Sequence, residues 1–149
     1  MPKLDLFTIL NRITLSDSPY LISFEQVGSA AAGVLTSTQF ADKLPFAVKR
    51  VFWIQGTPTE VTRGHHANKT TKEVLVALTG TIKIKAETST GINEFGLSSA
   101  DRGLYIPALC WTELTFTEGT IALCLASTDF DEQDYLRDYE VFKKLIGKL

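Results

Sequence analysis

Along most of this chain, hydrophobic residues alternate with polar ones in short runs separated by Gly, Asn, Asp and Ser. Period-two alternation is the mark of strands with one face buried. Residues 7–10 and 20–24 read as early strands, residues 28–33 (Gly-Ser-Ala-Ala-Ala-Gly) as a flexible excursion, and the Val/Ile/aromatic-rich residues 46–55 as the next strand. Residues 74–78 are continuously apolar, which predicts a strand covered on both faces. Residues 81–87 alternate cleanly, with Ile82, Ile84 and Ala86 on one side and Lys83 and Lys85 on the other. Thr79-Gly80 is expected to join these two as a tight hairpin, and residues 88–91 form the next turn. Residues 92–97, 103–107, 111–116 and 121–127 complete the strands. The last twenty residues change period. Tyr135, Tyr139, Phe142 and Ile146 recur at three- and four-residue steps, predicting an amphipathic helix with Asp131 as its cap. Many short strands followed by one helix predict an all-β antiparallel sandwich or barrel with the helix packed outside.

Composition narrows the class. A chain of 149 residues is one domain with room for a proper core. Fifteen Lys and Arg against 17 Asp and Glu leave a net charge of -2, with none of the basic excess a nucleic-acid or membrane-surface partner requires. No apolar run approaches the roughly 20 residues of a membrane helix. Met1-Pro2-Lys3-Leu4-Asp5 has no leader-like apolar core, so a cytoplasmic protein is expected. Cys110 and Cys124 sit in apolar strand-like segments and are expected to be buried, reduced thiols.

The chemistry concentrates in Arg63-Gly64-His65-His66-Ala67-Asn68-Lys69, which holds both histidines of the chain and leads into the apolar run. Histidine alone has an unperturbed pKa near neutrality, so it can both take and give a proton. Alternation puts His66 and Asn68 on one face and His65 and Ala67 on the other. Arg50 and Phe52 share a face, as do Trp111 and Glu113. A barrel interior holding Arg50, His66, Asn68, Trp111 and Glu113 would be polar enough to need a ligand or internal partners. An Arg50–Glu113 ion pair closing one end of the barrel is the competing reading.

The segment from His66 through Asn68 and Glu73 to Gly80 resembles the first motif of the cupins, small jelly-roll barrels that bind a metal through histidines and a glutamate. Asn68 stands where the second histidine would be, and the stretch after Gly103 and Pro107 brings no further one. Only His66, with Glu73 or Glu113, could serve as ligands, so the barrel is expected without its metal. More specifically, Pro45-Phe46-Ala47-Val48-Lys49-Arg50-Val51-Phe52-Trp53-Ile54, the Arg63–Lys69 segment, Gly103-Leu104-Tyr105-Ile106-Pro107, Leu125-Ala126-Ser127 and Asp131-Glu132-Gln133-Asp134-Tyr135-Leu136-Arg137-Asp138-Tyr139 together resemble the nucleotide-linked 4-keto-6-deoxyhexose 3,4-ketoisomerases of the FdtA/WxcM-like type. The resemblance spans roughly residues 45–146.

That resemblance implies a cupin-type jelly roll with a C-terminal helix, a homodimer, and an isomerase working without cofactor or metal. Its substrate would be a dTDP-linked keto-deoxysugar whose keto group moves from C4 to C3, for deoxyaminosugars of lipopolysaccharide and other surface glycans. His66 would be the acid/base catalyst. Asn68 and Arg50 would hold the keto and hydroxyl oxygens. Arg63 would reach the diphosphate, with His65, Tyr105, Trp111 and Glu113 as further substrate-binding candidates. The family pattern is commonly Arg-Gly-x-His-Ala-His-Lys. Asn68 departs from it, and an amide donates a hydrogen bond but cannot shuttle a proton. An epimerase acting beside the same ketone, or a non-catalytic sugar-nucleotide binding module, therefore stays open.

Overall fold

A computed structural model of the chain describes residues 17–148. The strand expected at residues 7–10 lies outside them. Twelve strands are present among the described residues: β1 (Tyr20–Ser23), β2 (Glu25–Ser29), β3 (Gly33–Ser37), β4 (Arg50–Gln55), β5 (Arg63–Asn68), β6 (Glu73–Thr79), β7 (Ile82–Thr88), β8 (Gly91–Leu97), β9 (Arg102–Ile106), β10 (Trp111–Phe116), β11 (Ile121–Ala126) and β12 (Tyr135–Leu136), followed by one helix, α1 (Tyr139–Leu145). One five-stranded antiparallel sheet has the order β1-β9-β6-β11-β4, and a second has β12-β5-β10-β7-β8. The two interleave along the chain, as in a jelly roll. β2 and β3 pair only with each other among the described residues, through the Gly28–Gly33 segment. That segment is the turn of a hairpin rather than a loose excursion.

The sheets face each other across the principal core. Leu75, Ala77, Leu104, Ala122 and Cys124 come from the first sheet, and Ile82, Ile84, Ala86, Leu97, Leu114 and Phe116 from the second. The outer face of the first sheet is covered by the segment before β4. There Ile22, Phe24, Leu44 and Phe46 pack on Val74, Val76 and Tyr105. This explains the unbroken apolar run in β6: Leu75 and Ala77 serve one core while Val74 and Val76 serve the other. Gly103 is required by this second layer, because a Cβ there would lie 2.7 Å from the Phe24 ring and 2.8 Å from Val74. The outer face of the second sheet is covered by α1, where Phe142 and Ile146 meet Ala67, Trp111 and Leu136.

Two expected elements differ. β6 and β7 do not pair; they belong to different sheets, and the Gly80–Thr81 link carries the chain across the barrel. Gly80 has a φ of +71°, and Thr81 N–H donates to Thr117 Oγ1 at 2.8 Å, so the turn is tied to its neighbour strand instead of closing a hairpin. The C-terminal helix is also shorter than its periodicity suggested. Asp131 caps a single 3-10 turn (Glu132–Asp134), the chain then extends as β12, and Asp138 caps α1 by accepting from Val141 N–H at 3.0 Å. Pairing of Tyr135 with Asn68 and Leu136 with Ala67 takes those residues out of the helix.

Candidate active site

β5 carries the site, and its geometry depends on a bulge. Thr112 of β10 pairs with His66, and Glu113 pairs with Gly64, so His65 is left over on β5. His65 takes a φ of +55° and Gly64 a φ of +89°, the left-handed backbone a bulge of this kind uses. A Cβ at Gly64 would run into the Thr112 carbonyl. His65 is exposed there. Beyond the bulge, Ala67 packs outward under α1, so His66 and Asn68 face inward.

The imidazole of His66 is half-buried, with its Nδ1 3.1 Å from the carbonyl oxygen of Gly64. A carbonyl can only accept, so Nδ1 carries the proton and Nε2 keeps its lone pair. Burial lowers the pKa of His66 below 6.5, against the opposing pull of the Gly64 hydrogen bond. His66 is therefore a neutral base at neutral pH. The Tyr135 ring meets it edge-on with centroids 4.9 Å apart. Tyr135 is anchored by Asp134, whose carboxylate accepts from Thr70 N–H (2.9 Å), Thr70 Oγ1 (2.7 Å), Thr71 N–H (3.1 Å) and Thr71 Oγ1 (2.6 Å). Burial works to raise the Asp134 pKa, but these four donors outweigh it and hold the carboxyl low.

Across the barrel from His66 stand Arg50 of β4 and Glu73 of β6. Glu73 continues the inward face of Leu75 and Ala77 and lies beside the Asn68 side chain, whose amide favours its charged form. Its carboxyl is enclosed although the residue as a whole is only half-buried. Burial raises its pKa, opposed by the Asn68 amide and by the charge of Arg50. Arg50 continues the inward face of Phe52 and Ile54. Its guanidinium lies 5.2 Å from the Phe52 ring centroid and 5.6 Å from that of Phe130. Its Nε–H is buried and finds no acceptor among the described residues. An unsatisfied buried donor costs about 1–3 kcal/mol.

The structure gathers Arg50 and Asn68 around Glu73, with His66 beside Asn68 on the same strand face, and separates the other candidates from them. Trp111 and Glu113 do share a face, but it is the outer one. Trp111 packs on Tyr139 and Phe142 with centroids 5.0 and 5.5 Å away. Glu113 sits 3.7 Å from Lys85, so the competing reading of an Arg50–Glu113 pair is not realised. The physical reason is that Leu114 and Phe116 of β10 fill the core between the sheets, and Trp111 and Glu113 alternate with them. Glu113 and Lys85 instead line a shallow cavity of about 540 Å³ on that outer face. Tyr105 lies in the second core, and its hydroxyl donates to both carboxylate oxygens of Asp17 at 3.0 Å. Arg63 is exposed at the start of β5. Tyr135 was concealed by its place in the helical period, and only its pairing with Asn68 reveals it. Glu73 was legible solely as a possible metal ligand. Cys110 and Cys124 are buried free thiols, as expected.

A jelly-roll barrel with a neutral imidazole, a carboxyl, an amide and a guanidinium at one end of its interior defines the class: a cupin-type barrel equipped for proton transfer. Comparison with known proteins agrees. The family model described as WxcM-like, C-terminal (FdtA) matches residues 17–147. A TDP-4-oxo-6-deoxy-alpha-D-glucose-3,4-oxoisomerase from Aneurinibacillus thermoaerophilus is 35% identical over 130 residues, covering 87% of this chain and 93% of that protein. The crystal structure of QdtA, a sugar 3,4-ketoisomerase from Thermoanaerobacterium thermosaccharolyticum in complex with TDP, is similar with a TM-score of 0.83 at 33% identity, covering 90% of this chain and 98% of that one. A histidine-to-asparagine variant of QdtA, in complex with TDP-4-keto-6-deoxyglucose, gives a TM-score of 0.80 at 34% identity, covering 88% and 97%. The chain belongs to this family of sugar-nucleotide 3,4-ketoisomerases.

Proposed function

We propose that this protein moves the keto group of a dTDP-4-keto-6-deoxyhexose from C4 to C3, with His66 as the base. The observation that carries the reading is the half-buried imidazole whose Nδ1 is committed to Gly64, leaving Nε2 unprotonated and facing the interior. His66 Nε2 removes the C3 proton, an enediol forms, and the same nitrogen returns the proton at C4. Adjacent carbons suit one imidazole, since the proton need travel only about one bond length along the sugar. The buried Nε–H of Arg50 and the amide of Asn68 bind the O3 and O4 oxygens, where charge develops. Arg63, exposed beyond the bulge, reaches for the diphosphate, with His65 at the rim. Trp111, Glu113 and Tyr105 have no part in this reading, being structural on the outer faces. The product feeds deoxyaminosugar synthesis for surface glycans in the cytoplasm.

A second copy of the chain is the expected partner. The β2–β3 hairpin supports this. Val27 is 72% exposed and Leu35 63%, and nearby Phe40 is exposed as well. A lone two-stranded ribbon is marginal in water, and apolar residues beside free strand edges favour pairing with another sheet. Sedimentation velocity reads this directly: the wild type should run as a dimer and Leu35→Asp as a monomer.

The decisive experiment incubates the protein with dTDP-4-keto-6-deoxyglucose in deuterated water and reads the product by NMR, beside His66→Ala. A 3-keto product that His66→Ala does not form supports the reading. Turnover surviving that substitution would remove His66 from the mechanism. An inverted centre with the carbonyl still at C4 would make the protein an epimerase.

A further inference from the structure

Moving a carbonyl between neighbouring carbons requires two proton transfers, not one. The carbon-bound proton passes from C3 to C4, and a second proton must leave O3 and arrive at O4. A single imidazole occupied with carbon cannot serve the oxygens at the same moment. Asn68, on the same strand face as His66, cannot carry a proton either.

We propose that Glu73 is the second proton carrier, exchanging the hydroxyl proton between O4 and O3 while His66 exchanges the carbon-bound one. The inference rests on the ketoisomerase reading. Its geometric basis is the position of the carboxyl: it comes from β6 in the opposite sheet, shares the inward face of Leu75 and Ala77, and lies beside the Asn68 side chain. A sugar ring between the two sheets would thus have the imidazole on one side and the carboxyl on the other. In the first half, His66 Nε2 takes the C3 proton, the C3=C4 bond forms, the carbonyl π pair moves to O4, and O4 takes the proton of the Glu73 acid. In the second half, the Glu73 carboxylate takes the O3 proton, the C3=O bond forms, and the C3=C4 π pair takes the proton from the His66 imidazolium at C4. Both side chains return to their starting states and no co-reactant is needed.

Tyr135 meets the His66 ring from β12, in the same sheet as the imidazole, so Glu73 is the proton-carrying group offered from the opposite sheet. Asp134 is tied up by Thr70 and Thr71. The buried thiols of Cys110 and Cys124 are held protonated by burial and by the nearby carboxyl, that of Cys110 up to about 12. Arg50 never gives up its proton under these conditions. Burial favours the acid form of Glu73, the form needed at the start of the cycle.

Glu73→Gln is the discriminating substitution. The amide is isosteric and keeps its place beside Asn68, yet it cannot carry a proton. Its kcat should fall about 10²- to 10⁴-fold, KM and the dissociation constant for TDP should change little, and the alkaline limb of the kcat–pH profile should vanish. Glu73→Asp should recover part of the rate and restore that limb. Wild-type rate in Glu73→Gln, or a lowered rate that keeps the alkaline limb, would overturn the inference and leave Glu73 a structural partner of Asn68. If Glu73→Gln does not fold, infrared titration of the wild type decides. A protonated-carboxyl band should disappear with the same midpoint as the alkaline limb, and a mismatch overturns the proposal. Wild-type turnover on dTDP-4-keto-6-deoxyglucose, measured in parallel, separates the two questions. Absent turnover sinks the isomerase reading itself, whereas turnover with a fully active Glu73→Gln sinks only the role of the carboxyl.

Discussion

The interior of this barrel is packed at one end and polar at the other. Near the β6–β7 crossing, Ala77, Ile82, Leu97, Phe116 and Ala122 fill the space between the sheets with at most 4% of any residue exposed. At the far end β4, β5 and β6 present Arg50, His66, Asn68 and Glu73. The contrast runs along single strands. β6 passes from Ala77 to Glu73, and β4 from Ile54 to Arg50. Apolar packing fixes the register, and the register places the polar groups: with a side-chain period of two, Leu75 facing inward obliges Glu73 to do the same. The two outer layers offer a further contrast. Tyr105 is paired there with Asp17, and Glu87 with Lys143 and Tyr139 at 2.7 Å each. At the polar end the buried Nε–H of Arg50 has no such partner.

The largest expected effect tests the polar end. His66→Ala should lower kcat by about 10²- to 10⁴-fold while thermal unfolding moves little, because the ring is half-buried and makes one hydrogen bond. Arg50→Lys comes next. It keeps the charge but loses the planar Nε–H, and one lost oxyanion donor lowers kcat about 10²- to 10³-fold in comparable cases. Steady-state kinetics measures both. The outer layer should respond in the opposite sense: Phe142→Ala should destabilise the fold by about 3–5 kcal/mol in urea titration, with kcat of the folded fraction nearly unchanged. Large loss of activity from Phe142→Ala in folded protein would dissolve the distinction between the two regions.

The pH dependence sharpens the comparison further. Because His66 must be neutral to act and burial lowers its pKa, the acid limb of kcat/KM should lie below pH 6.5 and disappear in His66→Ala. The same shift bears on stability. Below pH 6.5 the unfolded chain takes up a proton that the folded ring resists, so stability falls as pH drops from there through the folded-state pKa. The smallest effect is expected at Tyr105. Tyr105→Phe removes the hydroxyl bound to Asp17 and should lower stability by roughly 1 kcal/mol, leaving kcat and KM as they were. A raised KM there would return Tyr105 to the substrate site.

Several elements were legible before any coordinates because their cause is local. The alternation of Ile82, Ile84 and Ala86 with Lys83 and Lys85 is written in the order of residues, and so is the two-sided burial of β6. His66 stood out because only two histidines exist and both lie in one polar segment. Trp111 and Glu113 were assigned to one face correctly and to the wrong side of the sheet, since alternation gives parity without saying which parity is inside. Tyr135 was absorbed into the helix by a spacing that suits a helix equally well. The competing Asp138 cap and the pairing of β12 with β5 decided otherwise.

Local order along the chain thus determined the strands, the polar segment and the identity of the imidazole that can move protons. Tertiary structure alone decided which face of each strand looks inward, that β6 and β7 belong to opposite sheets, and that Glu73 and Arg50 confront His66 across the barrel. The reason is physical. Parity and propensity act between neighbours in sequence, while a bulge at His65, a crossing at Gly80 and a cap at Asp138 are settled by contacts with residues far along the chain.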